Sequence, residues 1–130
     1  MKPKERYWTG DSCIALSKVF DLPYNNLMQD WPYEVADSKS IQKYLDYYSV
    51  INDEDIKFTL MTMIIQAIND QQSSEKLKFY WEKVVPLLTK NFNIHEWTIY
   101  YWSSIGVSLE NAWQIAPYMR KIWRIRNTCK

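Results

Sequence analysis

His95 is the only imidazole in the sequence, and Cys13 and Cys129 are its only thiols. Nucleophilic catalysis would therefore rest on a Cys13–His95 pair, a thiolate beside a general base. Cys13 lies near the start of an expected helix, where a thiolate is favoured, but no other local residue supports the pair. His95 falls in the first turn of another expected helix, which predicts a surface or capping role. Paired carboxylates such as Asp30 with Glu34 or Asp37 have the chemistry of a general acid and base, yet any acidic loop offers such pairs. One histidine and two distant cysteines do not make a zinc site of ordinary spacing. Asp53-Glu54-Asp55 lacks the glycine and the distal glutamate of a calcium loop. With only Gly10 and Gly106, a phosphate-cradling loop and a dinucleotide fingerprint are both excluded. The expectation is a protein without a catalytic residue, metal, cofactor or small-molecule substrate.

The elements that would position any site read as helices. Asp11 or Ser12 caps a first helix with Cys13, Leu16 and Phe20 on one face, and Asp21-Leu22-Pro23 stops it. Residues 24–36 read as an irregular loop of aromatic and acidic residues. Asp37 or Ser38 caps a second helix carrying Ile41, Tyr44, Leu45 and Tyr48. Asp53-Glu54-Asp55 suits the positive end of a third helix, whose stripe of Ile56, Leu60, Met63, Ile64, Ala67 and Ile68 predicts burial of one face, widened by Met61 and Ile65. Ser73 or Ser74 caps a fourth, which Pro86 should kink or end. Asn93-Ile94-His95-Glu96 has the spacing of a capping box for a fifth. The β-forming run Trp97–Trp102 keeps a strand open as an alternative there. Gly106 ends that segment, and Pro117 suits the first turn of a last helix with Met119, Ile122, Trp123 and Arg126 at helical spacing. The fold class is all-α, an irregular bundle or short stack of antiparallel helix pairs, with about six helices in one domain over residues 1–130.

Composition turns the question toward binding. Seven Trp, ten Tyr and four Phe in 130 residues are more rings than a core of this size needs, so some are expected on the surface, where Trp and Tyr anchor interfaces, unless they only fill a small core between short helices. The net charge of +1 conceals segregation: residues 1–10 carry +2, residues 11–75 carry −7 and residues 76–130 carry +6. Such a dipole steers a charged partner, unless the two halves fold against each other and neutralise. The charged start Met1–Arg6, with no apolar run after it, and the absence of a stretch of roughly 20 apolar residues predict a cytoplasmic chain outside the membrane. A Cys13–Cys129 bridge is conceivable, but two cysteines in such a compartment are expected to be free.

Two segments read as more than core. The loop from Gln29 to Asp37, with Asp46, Tyr47 and the acids at 53–55, sets rings beside carboxylates and suits a basic partner such as the groove of a nuclease. The expected contact residues are Asp30, Trp31, Tyr33, Glu34, Asp37, Asp46, Tyr47, Asp53, Glu54 and Asp55, with a Trp31 that merely plugs the core as the alternative. The second segment, Tyr118 to Arg126, interleaves bases with apolar residues and offers a nucleic-acid reading through Arg120, Arg124 and Arg126. The same spacing also describes an amphipathic helix with solvated bases.

The runs Tyr7-Trp8-Thr9-Gly10-Asp11, Met28 through Asp37, Lys57-Phe58-Thr59-Leu60-Met61 and Ile115 through Trp123 together resemble small bacterial immunity proteins of polymorphic toxin and contact-dependent growth inhibition systems. The resemblance covers most of the chain. It implies a cytoplasmic protein that binds one cognate toxin, as a 1:1 complex, and blocks its active site or substrate access. Immunity proteins against nucleases are often acidic overall, and this chain is not.

Overall fold

In a computed structural model that describes residues 2–128, the protein is all-α: seven α-helices and two short 3₁₀ turns, with no strand among the described residues. The chain divides into two compact units, residues 7–71 and residues 72–130 joined by residues 1–6.

In the unit of residues 7–71, side-chain caps begin three of the helical elements, and of the three only Asp37 was expected as a cap. Helix α1 spans Gly10–Phe20, but its cap is Thr9, whose Oγ1 accepts the Ser12 N–H at 3.1 Å, two or three residues before the expected Asp11 or Ser12. It ends at Asp21 in the left-handed region, φ 54°, a conformation that Asp tolerates better than most side chains, and Pro23 follows. The expected loop at 24–36 is not all irregular. Trp31–Val35 forms a short helix, α2, with Pro32 in its first turn. Asp37 caps a 3₁₀ turn, Ser38–Ser40, which runs directly into α3, Ile41–Tyr48. Ile41, Tyr44, Leu45 and Tyr48 are buried as their spacing predicts.

Asp53 caps α4, Glu54–Asn69, its carboxylate accepting the Ile56 N–H at 2.9 Å. Burial on this helix exceeds the single stripe expected. Every residue from Phe58 to Ile65 is buried, and α1, α2 and α3 all pack on it. A helix apolar nearly all round belongs in the centre of its unit. Its two inward threonines satisfy their hydroxyls on their own helix: Thr59 donates to the Asp55 carbonyl at 2.9 Å and Thr62 to that of Phe58 at 3.1 Å. Buried Gln71 then ties the end of α4 to the 3₁₀ turn, its Nε2 donating to the carbonyls of Ala67 and Ser38, both at 3.0 Å.

In the second unit, Ser73 caps α5, Ser74–Lys90, by accepting the Lys76 N–H at 3.1 Å. Pro86 does not end this helix, which continues for four residues. The bond that proline removes would reach the carbonyl of Glu82; both residues are exposed, so water can satisfy that oxygen. Asn91 closes α5 and opens α6, Phe92–Ser103, with no side-chain cap. Asn93 therefore lies inside the helix and the expected capping box does not form. The run Trp97–Trp102 is helical. Ser104, at φ 50°, terminates α6 before Gly106, which sits in the following turn at φ 92°. A 3₁₀ turn at Leu109–Asn111 leads to α7, Ala116–Thr128, with Pro117 in its first turn. Helix α6 packs on both α5 and α7, with Ile99, Trp102, Met119 and Trp123 in the core.

Candidate functional site

The two units differ sharply in charge. Residues 7–71 hold ten carboxylates and four lysines, a net −6, while the other unit holds twelve bases and five acids, a net +7. The boundary between charge blocks is thus a boundary between folded units.

The expected contact residues all fall on the acidic unit, in two groups. The first gathers around α2. Trp31 is not exposed: only 1% of its surface is accessible, and its indole N–H donates to the Pro23 carbonyl at 2.7 Å. It is a core residue, which withdraws it from the expected contact set. Its burial explains why so short a helix forms, because packing supplies what five residues of backbone bonding do not. Tyr33 is half-buried and meets Trp8 edge to face at 5.5 Å, and Tyr24 meets Trp31 at 6.3 Å. Asp30 and Glu34 remain exposed on this helix, with Glu34 accepting the Asp30 N–H at 3.1 Å. Tyr7 and Leu27, 65% and 84% accessible, add apolar area in the same unit. Trp8, Tyr24, Tyr7 and Leu27 were not among the expected residues. Trp8 lies 25 positions before Tyr33, so no local spacing signals that pair.

The second group lies along the 3₁₀ turn, α3 and the start of α4. Asp37 accepts the Lys39 N–H at 3.0 Å and the Ser40 hydroxyl at 3.2 Å, and its own N–H donates to the Tyr44 hydroxyl at 3.1 Å. Burial raises the Tyr44 pKa, partly offset by its hydrogen bond with Asp37. Asp46 accepts from Gln42 Nε2 at 2.9 Å, and Tyr47 is half-exposed with its ring edge to face on Phe20 at 5.6 Å. Asp53 is committed to capping α4, whereas Glu54 and Asp55 stand exposed in its first turn. The acids therefore divide by duty. Asp37 and Asp53 hold backbone in place, while Asp30 and Glu54 present charge to solvent.

Of the two candidates for nucleophilic chemistry, Cys13 sits near the start of α1 on its buried face, as expected, and His95 does not sit as expected. Cys13 is a free thiol that is 2% accessible, and burial pushes its pKa up to about 11, outweighing the hydrogen bond from its own backbone N–H. Cys129 lies outside the described residues. His95 is fully buried within α6 and takes no surface or capping role. Among the described residues, no three His, Cys, Asp or Glu side chains gather as a metal would require.

No protein-family model, curated protein or solved structure matches this chain. The reading of function accordingly stands on the residues themselves.

The basic segment is also partly committed. The Arg120 guanidinium donates to three carbonyls at 2.6 Å, those of Ser103, Ser104 and Val107. It fastens the end of α6 and the turn after it, where helix carbonyls lack partners of their own. Arg126 lies 4.3 Å over the Phe92 ring and, like Lys121 and Arg124, is exposed on α7. No helix is long and apolar enough to cross a membrane among the described residues.

Proposed function

We propose that the protein is a stoichiometric inhibitor, an immunity protein that binds one cognate toxin and blocks its active site or its access to substrate. The observation that carries this reading is the unit of net −6, on which exposed Asp30, Glu34, Glu54 and Asp55 accompany the half-exposed rings of Trp8, Tyr33 and Tyr47. A surface of carboxylates and ring faces suits a basic cleft, such as that of a nuclease, which binds phosphates and stacked bases. Charge complementarity would speed the encounter and the rings would supply the desolvated anchors. Inhibition of this kind needs no turnover.

The test begins with a tagged pull-down from the native host. The expected result is one stoichiometric partner, encoded beside this gene and toxic when expressed alone. Asp30→Lys and Glu54→Lys should then each weaken that complex by at least tenfold while leaving the far-UV circular dichroism and melting temperature near those of the wild type. Both residues are chosen because neither carboxylate makes a cap bond. Unchanged affinity in the double variant would show that the acidic unit is not the contact surface. The competing reading, a nucleic-acid-binding regulator, rests on the net +7 of the other unit and on exposed Lys121 and Arg124. It requires binding that weakens steeply with salt, and unaltered mobility of RNA and DNA at low salt would remove it.

A further inference from the structure

Within the basic unit, α5 and α7 leave an apolar trough between them. Its walls are Trp81, Val85, Tyr118, Ile122 and Ile125. The Trp81 and Tyr118 rings meet at 5.5 Å, and Ile125 is 61% accessible. The trough is about 370 Å³ at its Lys78 end and about 270 Å³ at its Thr89 end, and both parts share Trp81, Val85, Tyr118 and Lys121. These volumes are near or below the lower end of the roughly 300–1,000 Å³ of small-molecule sites, which suits a row of inserted side chains. From Lys78 to Thr89 the helix rises roughly 16 Å, about three turns. That length fits apolar anchors at positions i, i+3 or i+4, and i+7 of an opposing helix.

Charge decides which helix. Lys78, Lys121 and Arg126 rim the trough against Glu82 alone, on a unit of net +7. We propose that this trough binds an amphipathic helix of a partner protein, one whose apolar stripe is flanked by Asp and Glu. A second copy of the chain is a poorer occupant. Of its helices with an exposed isoleucine, α7 is itself basic, and like charges facing across an interface are unfavourable. The other, α1, exposes Ile14 and Val19 five positions apart, not at the i, i+3 or i+4 spacing the trough fits. The inference concerns the other unit from the proposed toxin contact and does not depend on it.

The test uses the full-length, isotope-labelled protein and two synthetic 18-residue helical peptides. Both carry the same leucine stripe; one has glutamate flanks and the other lysine flanks. The expected result is that the glutamate-flanked peptide shifts the Trp81 indole and the Ile122 and Ile125 methyl resonances at sub-millimolar concentration. Ile125→Asp, at an exposed position, should abolish those shifts, and the Lys78→Glu/Lys121→Glu pair should weaken binding at least tenfold. The same pair should improve binding of the lysine-flanked peptide, a gain that damage to the fold would not produce. Equal binding of both peptides by the wild type would overturn the proposal, as would no binding of either. Shifts of the same resonances with protein concentration alone would assign the trough to a second copy and equally overturn it. Toxin binding by these variants should be unchanged, so this inference and the proposed function can fail separately.

Discussion

Replacing Arg120 by methionine keeps the aliphatic stem and removes a guanidinium that donates to three carbonyls at 2.6 Å. Hydrogen bonds to a charged group contribute about 1.5–3 kcal/mol each when buried. Two of these three are part-buried and the bond to Val107 is exposed, so the lower figure applies to two and little to the third. The expected loss is about 3 kcal/mol. With a urea dependence of about 1.5 kcal/mol per molar, the unfolding midpoint should fall by about 2 M. Arg120→Lys should recover only part of this, because an ammonium has no planar fork to span three acceptors. Arg124→Met, at an exposed position, should leave the midpoint unchanged. The assay is urea unfolding followed by far-UV circular dichroism. If Arg120→Met moves the midpoint by less than about 0.3 M, the guanidinium does not fasten the α6 terminus, and Arg120 returns to the residues available for a ligand.

Trp31→Ala should cost about 3–5 kcal/mol by emptying a core site, and thermal unfolding should show it. Trp31→Phe should cost less and leave the Pro23 carbonyl without its donor, and a native melting temperature in both variants would place Trp31 outside the core. Alkaline pH should destabilise the unit of residues 7–71. The Cys13 thiol has a folded pKa raised to about 11, and that of Tyr44 is also raised, so each group holds its proton more tightly when folded. Their contribution is complete below the unfolded values and is lost as pH climbs from about 9 through the folded ones, which for Cys13 is on the order of 2–3 kcal/mol. Unfolding midpoints measured from pH 8 to pH 11 should therefore fall, and a flat profile would contradict the burial of both groups. In a Cys129→Ser background, Cys13 should react with a thiol reagent only at the rate of unfolding.

What the sequence shows depends on how local the cause is. Asp37 and Ser73 cap where the sequence put them, because a cap acts over two or three residues and its donor is nearby. The core face of α3 was likewise legible in the spacing of Ile41, Tyr44, Leu45 and Tyr48. Helix α2 was not, since five residues carry no measurable period and its stability comes from burying Trp31 under Pro23. His95 looked like a surface residue because its supposed capping box set it in a first turn near solvent. The helix instead begins at Phe92, and His95 has no accessible surface. Arg120 reaches carbonyls 13 to 17 positions earlier, and no window of periodicity contains that distance. Among the expected contact residues, the sequence did not show that Trp31 is core or that Asp53 caps α4. Whether a carboxylate caps a helix or faces solvent is settled by backbone geometry.

That division of duties changes how the acidic unit should be approached. Reversing the charge of all its acids together would remove the caps of the 3₁₀ turn and of α4 along with any recognition, and the loss of binding would then carry no information. Replacing a cap such as Asp53 costs about 0.5–2 kcal/mol of stability, whereas Asp30 and Glu54 have no cap bond to lose. A lysine at either position meets the positive end of a helix, at a cost of about 0.3–1 kcal/mol, small enough for the fold to persist. A weakened complex in those two variants would therefore report on the surface itself. The same reasoning applies to the basic unit, where Arg120 supports the turn after α6 while Lys78 and Lys121 rim an open trough. In both units the residues worth changing are those whose charge the fold does not use.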